Sequence, residues 1–189
     1  YIADSVFPGM KANKIAIKAM LIAFSKNKSV NKVTFIFPGK TKDLKVYKRI
    51  TYKPIKIPLY IDPTEAAKDN IFAYLYRVCV ANRLFVINLF FYLLKIPNDN
   101  DTKLFIRGDK CMQAVFLANY FKKLNYCVEL HNYTFGKNQV RDHIYKKVFL
   151  KAKALITISK FTKSNWIKQD IEKNKVFVFP SGVDQKFID

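Results

Sequence analysis

Cys127-Val128-Glu129-Leu130-His131-Asn132 is an apolar run that stops abruptly at Glu-x-His. Val128 and Leu130 are strand formers, and the helix-like segment before them completes a helix-to-strand unit. In an open α/β sheet, ligands sit in the crevice at the carboxyl ends of the strands. A strand ending in histidine therefore delivers an imidazole to that edge. A lone histidine is more often a satisfied structural group, so the segments on either side carry the decision.

Outward from this stretch, strand and helix alternate along nearly the whole chain. Tyr1 to Asp4 reads as the tail of a first strand, followed by the loop Ser5-Val6-Phe7-Pro8-Gly9. A helix over Ala12 to Ser25 turns Ile17, Met20, Leu21 and Phe24 inward and Lys14 and Lys18 to water. Val33 to Phe37 is a second strand, closed by Pro38-Gly39. Residues 40–65 carry β-type runs such as Val46-Tyr47 and Ile55-Lys56-Ile57, broken by Pro54, Pro58 and Pro63. After the polar turn Asn98-Asp99-Asn100-Asp101 come a strand over Lys103 to Arg107 and a helix over Lys110 to Leu124. Beyond His131, a helix over Gln139 to Lys151 puts Val140, Ile144, Val148 and Phe149 on one face. Ala154-Leu155-Ile156-Thr157-Ile158 is the continuous apolar strand that a parallel sheet buries on both faces. Ser159 is placed to N-cap a helix carrying Phe161 and Trp166, and Val176 to Phe179 form the last strand. The alternation predicts an α/β fold, a Rossmann-like doubly wound parallel sheet.

With 189 residues, 50% of them hydrophobic, the chain can bury one sizeable core, which predicts one domain over residues 1–180. Cys79, Cys111 and Cys127 lie in apolar segments without metal-ligand spacing, and no zinc site is visible around His131 or His143. This reads as reduced core thiols in a cytoplasmic protein. The formal charge of +20 comes mainly from lysines spread along the chain, with arginine only at Arg49, Arg77, Arg83, Arg107 and Arg141. Readers of nucleic acid lean on arginine for bidentate contacts, so nucleic acid is not expected as a partner. A field of this sign attracts anionic membranes or phosphorylated ligands. The window Val78 to Ile96 is strongly apolar, but Asn82, Arg83 and Asn88 interrupt it. A spanning helix wants roughly 20 uninterrupted apolar residues, so we expect a buried or partly exposed helix pair here.

Four loops follow strand-like runs: Pro8-Gly9, Arg107-Gly108-Asp109, His131 and Ser159. A glycine before a helix N-terminus lets backbone N–H groups approach an anion; a turn alone would also explain Gly9. Arg107 adds a permanent charge for phosphate or carboxylate, or pairs with Asp109 or Glu129. His131 can bond a phosphate or sugar oxygen or move a proton near neutral pH. Asp109 reads as a helix N-cap. Glu129, acidic in an apolar strand, needs a partner if buried, and its position suggests holding Arg107 or a loop amide. No Walker-type loop, GxGxxG or nucleophile elbow is present.

Taken in order, these segments resemble the amino-terminal domain of a family 4 glycosyltransferase of the retaining, GT-B fold type. The resemblance lies in Phe7-Pro8-Gly9-Met10-Lys11-Ala12 with its amphipathic helix, Ile106-Arg107-Gly108-Asp109 and Glu129-Leu130-His131-Asn132. It continues in Ile156 to Lys163, with its S-x-x-x-K helix entry, and in Val178-Phe179-Pro180-Ser181-Gly182-Val183-Asp184. It implies the amino-terminal half of a GT-B fold, facing a carboxyl-terminal donor-binding domain to which residues 181–189 begin the linker. It implies transfer of a sugar from a sugar nucleotide to a glycan or lipid-linked acceptor, with no essential metal and no cofactor bound by this half. On this resemblance Gly9 approaches the donor, His131 is catalytic, Arg107 and Glu129 support the cleft, Ser159 lines it, and Lys11 meets an anionic acceptor.

The chain departs from the family pattern in its single opening glycine and in Ser181 where Asn is usual. The donor-phosphate Arg/Lys pair and the glutamate motif of the second domain are absent from these 189 residues. Developing charge on a departing diphosphate needs preorganised positive groups, so the fragment alone is expected to be inactive. The lysine-rich surface and the helices at 71–96 suggest a protein peripheral on the inner face of a membrane. Rival readings are a lysine-rich nucleic-acid-binding module on a Rossmann-like core, and a sugar-nucleotide epimerase of similar architecture.

Overall fold

The computed structural model describes residues 1–4, 12–39, 49–57, 71–97, 99, 101–131 and 133–179. Its strands are β1 (Ile2–Ala3), β2 (Val33–Pro38), β3 (Ile50–Ile55), β4 (Leu104–Arg107), β5 (Tyr126–Glu129), β6 (Ala154–Thr157) and β7 (Val176–Val178). They form a seven-stranded, all-parallel sheet in the order β3-β2-β1-β4-β5-β6-β7. The helices are α1 (Ala12–Lys26), α2 (Ile71–Tyr76), α3 (Asn82–Lys95), α4 (Asp109–Ala118), α5 (Gln139–Lys151) and α6 (Lys160–Ile167). The α/β, Rossmann-like architecture expected from the alternation is the one observed. The order reverses direction between β1 and β4, the switch point at which such sheets open a crevice.

The chain groups into two compact units, Tyr1–Pro97 with Ile106–Lys123, and Asn98–Phe105 with Leu124–Asp189. In the first, β2 pairs in parallel with both β1 and β3, and β1 pairs with β4 through Ile2↔Ile106 and Ala3↔Arg107. Every β2 side chain except Thr34 is buried, as a strand covered on both faces requires. Phe35 and Phe37 stack at 4.8 Å between centroids, with Tyr52 edge-on to both. The strand in the proline-broken region is Ile50–Ile55, ending where the expected run Ile55-Lys56-Ile57 begins; Val46-Tyr47 lies outside the described residues. Pro54 fits because β3 is the last strand of the order, where a missing N–H costs no ladder bond.

The expected helix pair is one continuous run. α2 passes through a π-helical turn, Arg77–Ala81, into α3, and Ala81 keeps helical angles (φ −60°, ψ −41°). Ile96 then turns extended at ψ 135°, the conformation a following proline imposes. α3 buries Phe85, Val86, Leu89 and Leu93. α4 stops at Ala118 rather than reaching Leu124 and buries the small side chains Ala114 and Ala118 with Cys111, Met112 and Val115. Cys79, in the π turn, is exposed and Cys127 only half-buried, so only Cys111 is the core thiol expected of all three.

In the second unit β5, β6 and β7 pair in parallel through Val128↔Leu155 and Leu155↔Val176, and Leu104 N–H donates to Asn125 O at 2.9 Å. β6 alternates instead of being covered on both faces: Leu155 and Thr157 are buried, Ala154 and Ile156 half-exposed. The core is aromatic. Tyr133 and Tyr145 lie 4.3 Å apart and Phe149 and Trp166 4.7 Å apart, with Phe135 edge-on to Phe149. The buried face of α5 is Tyr145, Val148 and Phe149; Val140, expected inside, is 74% exposed because it precedes the turn that reaches the core.

Gly108 holds φ +102°, and a Cβ there would lie 2.0 Å from the Asp4 carboxylate. Steric exclusion and backbone strain act together at this residue. We expect Gly108→Ala to destabilise the protein by roughly 2–4 kcal/mol in urea unfolding. Combining it with Asp4→Ala should recover only part of the loss, since the backbone strain persists. Full recovery would remove the strain from the account.

Candidate functional site

Two strand-end carboxylates organise the chemistry, one in each unit. In the first, Asp4 follows β1 and its Oδ2 accepts the Lys110 N–H at 3.0 Å. The cap of α4 thus comes from across the switch point. Asp109, expected as the N-cap, is instead the first helical residue, and the N-cap is Gly108, which has no side chain to offer. Helix amides and dipole favour an anion at this point, but enclosure opposes it and wins. Burial raises the Asp4 carboxyl from its ordinary 3.8 to about 6, against the lowering effect of the Lys110 amide and with a small upward push from Asp109. The same burial, helped by the charges of Asp4 and Asp109, pushes the neighbouring Cys111 thiol well up. Arg107 closes β4 beside Ala3 in register, which puts its backbone at the β1–β4 switch. Gly9 and Lys11 lie outside the described residues.

In the second unit the Glu129 carboxylate, buried at the end of β5, holds the imidazole of His131: Oε1 and Nε2 are 2.5 Å apart. This is the partner that a buried acid in an apolar strand requires; the expected choice was Arg107 or a loop amide. The histidine is not enclosed, since 26% of its side chain remains exposed. Its backbone is fixed by the sheet. Leu130 N–H donates to Ile156 O at 2.9 Å, and the buried Thr157 hydroxyl donates to His131 O at 3.3 Å. A carboxylate at Nε2 selects the tautomer with its proton there, leaving Nδ1 as an acceptor in the neutral ring and a donor in the cation.

Ser159, proposed from sequence either as a cap or as a ligand group, caps α6: its Oγ accepts from Phe161 N at 3.1 Å and Thr162 N at 3.5 Å. The segment after His131 is fastened by groups that sequence reasoning passed over. Trp166 Nε1 donates to Tyr133 O at 2.8 Å, and Phe135 N donates to Asn165 Oδ1 at 2.8 Å. The Tyr133 hydroxyl donates to Asp142 Oδ1, while Gly136 N donates to Asp142 Oδ2 at 2.8 Å. Burial, then this bond to Asp142, pushes the Tyr133 phenol far up, so it stays a donor. Only the Asn138 cap on Arg141 N–H had a local signature, a polar residue just before the helix. Among the described residues no three His, Cys, Asp or Glu side chains gather as metal ligands.

No protein-family model matches the chain, and neither does any curated protein. Among solved structures it is similar in chain course to a crystal structure of UDP-N-acetylglucosamine 2-epimerase, at 13% identity and a TM-score of 0.45. The match covers 78% of this chain and 47% of that one, so the chain spans about half the length of that structure.

The Asp4 carboxyl gives a pH dependence of definite sign. Its folded-state value lies above its unfolded one, so between pH 3.8 and about 6 the folded chain holds a proton that the unfolded chain has lost. Stability must fall as pH rises through that window, by at most about 3 kcal/mol, and less to the extent that water reaches this mostly but not fully buried carboxyl. Asp4→Asn keeps an acceptor for Lys110 N–H and removes the titration. The urea midpoint of this variant should gain on wild type as pH rises, with the gap levelling off above about pH 6. Parallel curves for the two proteins would refute the assignment.

Proposed function

We propose that this chain is the acceptor-binding half of a retaining, GT-B-type glycosyltransferase of family 4, moving a sugar from a sugar nucleotide to a glycan or lipid-linked acceptor. The observation that carries the reading is the Glu129–His131 pair. A buried carboxylate grips a partly exposed imidazole at the carboxyl edge of a parallel strand, the position at which α/β sheets engage ligands. The ordered resemblance from Phe7 to Asp184 supports the choice of class.

In this proposal His131 bonds the reacting sugar or its leaving phosphate through the ring atom that Glu129 leaves available. Glu129 is a positioning residue, fixing tautomer and ring angle. On the family resemblance Arg107 is assigned a permanent positive charge for phosphate and Gly9 a place near the donor. On the same resemblance Lys11 is assigned to an anionic acceptor, and Ser159, which caps α6, a ligand-binding role. A second domain of the same chain supplies the donor-phosphate cations. No metal is assigned a role.

The test uses the full-length protein with a panel of nucleoside-diphosphate hexoses and lipid-linked or glycan acceptors, products being identified by mass spectrometry. We expect acceptor-dependent glycoside formation with retained anomeric configuration. His131→Ala should lower turnover by about 10²–10⁴-fold in a protein that still folds, with a melting temperature lowered by the loss of the Glu129 partner, and the turnover of Glu129→Gln should fall between wild type and His131→Ala. Isomerised donor without acceptor would mark an epimerase instead, and near-wild-type turnover of His131→Ala would return the imidazole to a structural role.

A further inference from the structure

The helical run that ends at Lys95 has two unlike faces. Phe85, Val86, Leu89 and Leu93 are buried in the first unit, whereas Val80, Ile87 and Phe91 follow one another at helical spacing on the outside. The stretch Tyr74–Lys95 is long and apolar enough to cross a membrane, yet only 29% of its apolar window is buried. The turn after α4 extends the outer face. Phe90, on α3, meets Phe121 edge-on at 5.7 Å, and Lys122 Nζ donates to the carbonyls of Leu94 and Ile96. Phe121 is 74% exposed and Tyr120 68%.

Charge identifies the occupant. Arg83, Lys95 and Lys123 are exposed among these apolar side chains, and residues 71–97 and 117–123 contain no Asp or Glu. We propose that the outer face of α3, with the Leu117–Lys123 turn, lies flat on an anionic lipid bilayer. Aromatic rings placed at headgroup depth and lysines placed on phosphates describe an interfacial helix. A spanning arrangement would pull the face bearing Phe85, Leu89 and Leu93 out of the unit's core and carry Arg83 and Asn88 into hydrocarbon. A two-fold self-interface would set cation against cation.

The proposal is independent of the enzymatic reading, because its measurement needs no turnover. The full-length protein is co-sedimented with vesicles of phosphatidylcholine alone and of phosphatidylcholine mixed with phosphatidylglycerol, at low and high salt. Binding should be strong on the anionic vesicles at low salt and weak on the neutral ones. Lys95→Gln/Lys123→Gln should weaken anionic binding by about thirtyfold. Phe91→Ser/Phe121→Ser should weaken it at both salt concentrations, since apolar contact is not screened. The lysine pair carries the test should the phenylalanine pair fail to fold, as judged by melting. Wild type that stays in the supernatant, or variants that bind as wild type does, would overturn the proposal. So would a vesicle-free dimer that the phenylalanine substitutions convert to monomer.

Discussion

A carboxylate seated on a helix amide sets the terms for the centre of this fold. Asp4 leaves β1 and immediately takes the Lys110 N–H at 3.0 Å, so the end of one strand is tied to the first turn of the helix that follows its neighbour. The strand order turns around at this pair. Three features follow from the tie. The residue before α4 must be glycine, since a Cβ would collide with the carboxylate. The helix needs no capping side chain of its own. The adjacent Cys111 is buried beside two acids, which keeps its thiol protonated and unreactive.

Glu129 is the counterpart in the second unit, and the contrast between the two acids is instructive. Both sit at strand ends and both are withdrawn from water. Asp4 finds a backbone amide, which offers only a partial charge, and burial dominates its titration. Glu129 finds an imidazole two residues along the same strand exit. Residues i and i+2 of a strand project to the same side, so Glu-x-His is a spacing at which the two side chains can meet. The histidine's carbonyl is held by Thr157 from the next strand. The ring is thus constrained by its backbone and by one ring atom, with a quarter of its side chain in solvent.

Periodicity made the architecture legible, and the failures trace to distance in sequence. Each helix and strand carries its own apolar repeat, so the alternation predicted the parallel sheet, and Ser159 followed by a helical pattern predicted its cap. The Asp4 cap lies 106 residues from the amide it serves, and no local pattern announces such a bond; Asp109, adjacent to the helix, was the natural but mistaken choice. Tyr133, Asn165 and Trp166 were unreadable for the same reason, their hydrogen bonds spanning 30 or more residues. Cys79 read as core because its neighbours are apolar, but a helix apolar on every side leaves hydrophobicity unable to say which face is buried. For Glu129 the need for a partner was legible, and His131 was not among the partners read from the sequence. Gly9 and Lys11, legible as motif, lie outside the described residues.

The charge of +20 invites a single explanation, and the placement of the lysines argues against one. Lys163 donates to Val176 O at 2.6 Å, pinning α6 to the last strand. Lys122 closes the carbonyl end of α3, where a cation complements the helix dipole. Lys146 and Lys175 meet Asp170 and Glu172 at the surface, pairs worth little to stability in water. Lys163 and Lys122 serve as local fasteners, and removing either would free the carbonyl it holds. The net field is a separate property, set by the sum over the surface. It directs binding only where exposed cations coincide with another source of affinity, because charge alone supplies encounter and little specificity. In the membrane proposal the exposed apolar face of α3 is that source. The chemistry of this molecule therefore follows from which lysines remain exposed beside apolar surface, and the total count says little about it.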